Sequence, residues 1–179
     1  MQKSTTIHPH TRILLDAWRR MAANPDQIAT GPQASAYPEL LDCLFVLTKT
    51  SEGLWVFSNA GDSINRVVGR ELEGHDFQSL WSGNDRRIMS ALIETTSQEG
   101  EPSIVRLAGE TLQGYRCDIE VSLAPLKSRS GFKMLGLYQS LGGEAMLRGR
   151  SIWRHRILSL RMPDRRTRTP RIRLVASND

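Results

Sequence analysis

An α+β domain built on an antiparallel sheet is the fold class this sequence predicts, and two observations carry it, with a third dividing the chain into body and tail. Residues 115–124 alternate strictly, with Tyr115, Cys117, Ile119, Val121 and Leu123 on one side and Arg116, Asp118, Glu120, Ser122 and Ala124 on the other. A period of two places one face in a core and the other in water, as in antiparallel sheets. Strand signals come in runs, two before a helical block and three after it, so a doubly wound parallel sheet is not expected. Charge, finally, divides the chain. Between 148 and 173 ten arginines face one carboxylate, Asp164, a net +9, while the rest carries 14 basic and 18 acidic residues, a net of −4. The overall charge of +5 therefore describes a basic end attached to an acidic body.

The elements follow in order. Residues 11–22 read as an amphipathic helix, with Ile13, Leu14, Ala17, Trp18 and Met21 at helical spacing, Thr11 as its cap, and Asn24-Pro25 as its end. Three prolines make 23–38 a loop. Leu44–Thr48 and Leu54–Asn59, joined by the turn Ser51-Glu52-Gly53, predict a hairpin. Residues 61–68 predict a short helix. The stretch 69–81 then reads as a tight connector: Gly69 and Gly74 allow backbone that a Cβ would forbid, and Phe77, Leu80 and Trp81 need a core. Asn84 or Asp85 caps a helix to about Gln98, which Gly100 stops. Strands at Ser103–Ala108, 115–124 and Phe132–Gln139 complete the body. Beyond Gly142-Gly143, Met146, Trp153, Ile157 and Leu160 predict one face of a basic helix, broken by Pro163 and Pro170. The expected division is 1–36, N-terminal helix and linker; 37–141, the domain; and 142–179, an arginine-rich tail, part helical or disordered.

Several function classes are excluded as expectations. Cys43 and Cys117 lie far apart with no Cys-x-x-Cys, which suits a reducing cytoplasm. Met1–His10 lacks the apolar core of a secretory signal, and no run approaches the ~18 apolar residues of a spanning helix. Glu71, Glu73 and Asp76 cluster within six residues. Acid–base chemistry needs partly buried carboxyls, and the flanking glycines argue for a solvated turn. No catalytic residues and no metal ligands are expected, so the protein is read as a non-enzyme.

Val68-Gly-Arg-Glu-Leu-Glu-Gly74, Asp76-Phe77, Leu80-Trp81 and Gly114-Tyr-Arg, with Glu120-Val-Ser-Leu-Ala-Pro-Leu126, resemble a family of small alphaproteobacterial PAS domains, PAS_5. Asp16, Trp18 and Arg20 in the first helix match its opening, as does Leu44-Phe45-Val46-Leu47. The resemblance spans roughly residues 12–141. It implies a PAS fold, a five-stranded antiparallel sheet with helices over one face, and a bacterial sensory or interaction module in signal transduction. Such modules often dimerise through an N-terminal helix. In the second strand the chain departs from the family's usual Phe-Arg-Leu-Ala-Gly: it reads Val56-Phe57-Ser58-Asn59-Ala60-Gly61, which changes the pocket side.

Site expectations follow from residues and resemblance together. No cofactor is predicted. Haem in such domains takes a histidine from the long helix, which here has none; His75 stands in the loop before it. Flavin photochemistry needs a cysteine on the short helices, and Cys43 and Cys117 stand in strand contexts. An unidentified small apolar ligand would meet Asn59, Phe77, Trp81, Cys117, Ile119 and Val121, although Phe77 and Trp81 also serve simply as core. Leu14, Trp18 and Met21 are the dimerisation stripe of an expected homodimer, with packing on their own sheet as the alternative. Arg148, Arg150, Arg154, Arg156, Arg165, Arg166, Arg168, Arg171 and Arg173 are the anionic-partner set, because guanidinium suits phosphate and carboxylate. A signalling protein, nucleic acid and an anionic membrane are the partners weighed. The second functional reading is an arginine-tailed nucleic-acid-associated regulator that uses the body to dimerise.

Overall fold

The computed structural model describes residues 6–23, 38–126, 131–142 and 144–161. Its elements are α1 (Pro9–Ala23), α2 (Pro38–Leu41), β1 (Leu44–Lys49), β2 (Trp55–Ala60), α3 (Asp62–Val68), a 3₁₀ turn (Phe77–Leu80), α4 (Gly83–Glu99), β3 (Ser103–Thr111), β4 (Arg116–Leu126), β5 (Lys133–Ser140), a second 3₁₀ turn (Glu144–Leu147) and β6 (Ile152–Arg161). The strands form one six-stranded sheet in the order β2-β1-β5-β4-β3-β6, and every pairing is antiparallel. The α+β expectation holds, with six strands in place of five.

The sixth strand replaces the predicted basic helix. Ile152–Arg161 pairs with β3 from Thr111↔Ile152 to Ile104↔Arg161. Two register shifts interrupt the ladder, at Glu110/Thr111 and Arg106/Leu107. Each inserts an extra residue, and together they erase the alternation by which a strand is recognised. The helical spacing of Trp153, Ile157 and Leu160 is thus a by-product of a bulged strand. The residues from 162 onward lie outside the described set, and with them the tail's expected disorder.

Helices α3 and α4 lie over one face of the sheet, as expected, and α1 and α2 cover the other. The main core lies between the sheet and α3, the first 3₁₀ turn and α4. Phe45, Leu47, Ile119, Val121 and Leu123 meet Ile64, Phe77, Met89 and Ile93 there, all essentially without exposure. Each such side chain contributes about 1.5–3 kcal/mol relative to staying in water. A smaller cluster, Leu14, Leu40, Cys43 and Leu137, sits under α1 and α2 on the opposite face. Glu120, Ser122 and Ala124, expected in water, are buried beneath α1 instead.

Local chemistry fixes the ends. Gly69 closes α3 in the left-handed conformation (φ +79°), its N–H reaching the Asn65 carbonyl at 2.7 Å. A Cβ there would run into the Ser151 hydroxyl at the start of β6. The Asn65 side chain accepts from the Leu72 N–H (3.1 Å) and donates to Glu71 (2.8 Å). Gly74 N–H donates to the Phe57 carbonyl (2.8 Å) and Phe57 N–H to that of His75 (3.0 Å), so residues 74–76 lie along the outer edge of β2. Asp76 caps the 3₁₀ turn through the Gln78 N–H (3.0 Å). The start of α4 differs from expectation: Ser82 holds the cap position, without a side-chain bond.

Candidate functional site

An aromatic layer fills the space between sheet and helices. Phe77 stacks on Phe45 at 5.6 Å and meets Phe57 at 5.6 Å and Trp81 at 4.9 Å. Gly136 has no side chain because the Phe45 ring occupies that space, and Gly109 is likewise overlaid by Ile152 and Ile119. A planar cofactor in this layer would require these rings to move.

β6 brings a polar group into the layer. His155 is buried, with its ring 5.7 Å from Trp81 and 5.8 Å from Tyr138. Its Nδ1 lies 3.1 Å from the Leu80 carbonyl and its Nε2 2.7 Å from the Tyr138 hydroxyl. A carbonyl only accepts, so Nδ1 carries the proton, and in the neutral ring Nε2 accepts from Tyr138. Burial pushes the imidazole down from 6.5 to about 4, against the opposing pull of the Leu80 carbonyl. One ring thereby ties β6, β5 and the 3₁₀ turn together. The Trp81 Nε1 beside it is buried without a hydrogen-bond partner among the described residues.

A second polar cluster holds α1. The buried Glu120 carboxylate accepts from the Thr11 hydroxyl, from the His8 N–H at 3.1 Å, and from Arg106 at 2.7 Å. Arg106 also donates to the Thr6 carbonyl (2.6 Å). Thr11 therefore anchors the helix to the sheet and does not cap it. At the other end Trp18 Nε1 donates to the Pro125 carbonyl (2.7 Å).

A family model for PAS domains, PAS_5, matches residues 6–139. The chain belongs to the PAS domain family. Solved structures similar to it include the dark structure of the blue-light photoreceptor Aureochrome1 LOV, at 15% identity over 67% of this chain and 92% of that chain, TM-score 0.47. The Rhodobacter sphaeroides LOV protein is 19% identical over 62% of this chain and 67% of that one, TM-score 0.46. An RNA-binding Light-Oxygen-Voltage receptor is 13% identical over 69% and 37%, TM-score 0.47. Blue-light reception and RNA binding are properties of those proteins. No curated protein matches the sequence.

Within this PAS domain the expected pocket residues separate. Phe77, Trp81, Cys117, Ile119 and Val121 stand together in the main core, whereas Asn59 is exposed on β2 and joins none of them. Two surface clefts, of about 620 and 210 Å³, lie elsewhere, and none of these six residues lines either. Cys117 Sγ is 3.0 Å from the Ser140 hydroxyl, and Cys43 lies under α1 and α2; neither is in a disulfide. His75 is exposed, with its Nδ1 at 3.2 Å from the Glu73 carbonyl. Glu71 and Glu73 are exposed and Asp76 pairs with Arg86 at 3.0 Å. Among the described residues no cluster suits a metal ion, and no helix is long and apolar enough to cross a membrane.

On α1, Leu14 is buried in its own chain, Trp18 is half-buried, and Met21 is exposed. Of the arginine set, Arg148, Arg150, Arg154 and Arg156 are exposed on β6 and the turn before it. Arg165, Arg166, Arg168, Arg171 and Arg173 lie outside the described residues. β6 forms one edge of the sheet, and among the described residues no backbone bond from 152–160 leads anywhere except β3. Trp153, Leu158 and Leu160 are exposed along it. Sequence reasoning missed His155 and Glu120. A histidine between two arginines reads as solvated, and a carboxylate on the wet phase of an alternating strand reads the same.

Proposed function

We propose that this PAS domain is a non-enzymatic, cytoplasmic signalling module that acts through protein contacts on the open edge of β6. The observation that carries this reading is the contrast between a filled interior and an uncovered edge. β2, the opposite edge, is lined by residues 74–76, whereas among the described residues the backbone of 152–160 bonds only to β3 and has no strand on its outer side. Such an edge takes an added strand from another chain. Trp153, Leu158 and Leu160 offer apolar area, and tryptophan is a frequent interface anchor.

The partner that fits is an extended acidic segment of another protein. Arg154 and Arg156 are exposed and are in no ion pair among the described residues. Two β6 edges from two copies would set arginine rows against each other, and facing like charges destabilise a strand pair. Cys43 and Cys117 are buried and in no disulfide, which suits a reducing compartment.

Photocrosslinking in cells tests the reading, with a photoreactive residue at Leu158 and a control at Glu52 in the remote β1–β2 turn. The expected result is a discrete protein adduct from Leu158 alone, lost when Arg154 and Arg156 are both changed to Glu. Adducts to nucleic acid, to a second copy, or equally from both positions would overturn it.

A further inference from the structure

The larger cleft lies beside β6, where Gly69 and Ser151 come together. Buried Leu80, Ile152 and His155 form its floor. Arg70 and Ser79 from the connector after α3, Arg150, Ser151 and Trp153 from the start of β6, and Leu112 and Gln113 of the β3–β4 turn complete its lining. We propose that this cleft binds a small oxyanion carried on a flat ring.

Three features argue for that class. The first is charge. The body of the chain is acidic, yet no carboxylate lines this cleft, and it holds two guanidinium groups. Neither Arg70 nor Arg150 is in an ion pair among the described residues; the Arg70 guanidinium makes a 3.3 Å bond to the Ser79 hydroxyl. An oxyanion would replace that weak bond with a stronger, charge-assisted one. The second is backbone. Arg148 is the one non-glycine residue with positive φ among those described (+50°), followed by Gly149 at +70°. Glycine adopts this left-handed conformation freely, whereas at Arg148 it carries a steric cost. Arg148 is held by the Tyr115 ring, 5.0 Å from its guanidinium, and the turn delivers Arg150 to the cleft. The third is apolar area. Trp153 is 57% exposed and Leu112 76% exposed at the rim, a pair of surfaces that a ring would cover. A volume of about 620 Å³ suits a small organic ligand.

The floor adds selectivity by withholding donors. Both His155 nitrogens are engaged, by Leu80 and Tyr138. Recognition of the anion therefore falls to the rim: Arg70, Arg150, Ser79, Ser151 and the Gln113 amide. The cleft lies on the side of the sheet that carries α3 and the 3₁₀ turn and shares Trp153 with the β6 edge, but Arg70, Ser79 and Gln113 belong to the cleft alone.

The test is an amide NMR titration of full-length ¹⁵N-labelled protein at low salt with benzoate, phenyl phosphate, adenosine monophosphate and inorganic phosphate. The expected result is saturable shifts at Ser151, Gln113 and the Trp153 indole N–H. A ring-bearing anion should bind at least about tenfold more tightly than inorganic phosphate. Arg70→Gln and Arg150→Gln, both at exposed positions, should each weaken it by about tenfold, the scale of one lost charge-assisted bond. Preference for the nucleotide or for benzoate names the source, and either supports the assignment. Shifts confined to residues beyond 161, equal binding of bare phosphate, indifference to both arginines, or no saturable shift with any probe would overturn it.

Discussion

His155 is a titratable ring in a layer of aromatic rings, and its neutrality has a thermodynamic consequence. Its pKa is near 6.5 in the unfolded chain and about 4 in the folded one. Between those values the unfolded chain binds a proton that the folded chain refuses. The stabilisation is therefore complete above pH 6.5 and is lost as pH falls toward 4, by roughly 3 kcal/mol in all. Thermal melts across pH 7.5–4.5 should show this as a steeper acid decline in the native protein than in His155→Gln. Parallel curves would place the histidine in water. Tyr138→Phe removes the proton that His155 Nε2 accepts and should cost about 1–3 kcal/mol at neutral pH. Gly136→Ala should cost at least as much, because its methyl group meets the Phe45 ring in a sheet that cannot spread; chemical denaturation measures both. None of the three effects was legible beforehand. A histidine flanked by arginines, and a glycine inside a strand, signal nothing until the opposing side chain is known.

Among the elements, α1 and β6 separate what the sequence could say from what it could not. Alternation in β4, short apolar runs bounded by turn residues in the other early strands, helical spacing in α3 and α4, and the glycines and aromatic residues of 69–81 made these elements readable. β6 was hidden by its two bulges, which shift Trp153 and Leu158 out of phase. α1 was readable as a helix, but its partner was not. The wet phase of β4 gave no sign that Glu120 would lie beneath it, because that depends on Thr11, His8 and Arg106 arriving from distant segments. The stripe read as a dimer contact is thus largely committed within the chain, through buried Leu14 and the bond from Trp18 to Pro125. Trp18→Asp should lower stability by about 1–2 kcal/mol while leaving the sedimentation mass unchanged. A change of mass without loss of stability would return the stripe to an intermolecular role.

At the scale of the whole molecule, the division of charge acquires a different meaning. Composition places the boundary near Gly142, yet ten residues of the basic segment complete the sheet and bury Ile152 and His155. Residues 152–161 of the basic segment thus join the sheet of the PAS domain and turn Arg154 and Arg156 outward at the sheet's one uncovered edge among the described residues. Residue-by-residue hydrogen exchange over 152–161 in the full-length protein tests this most directly. In an antiparallel pair only alternate amides point at the neighbouring strand. The account predicts two classes of amide in β6: slow ones bonded to β3 and fast ones facing open solvent, broken in phase at the two bulges. Uniformly fast exchange would mean that the segment is an undocked tail. Uniformly slow exchange would mean that the edge is already covered. Either result would contradict β6 as the free working edge of the domain.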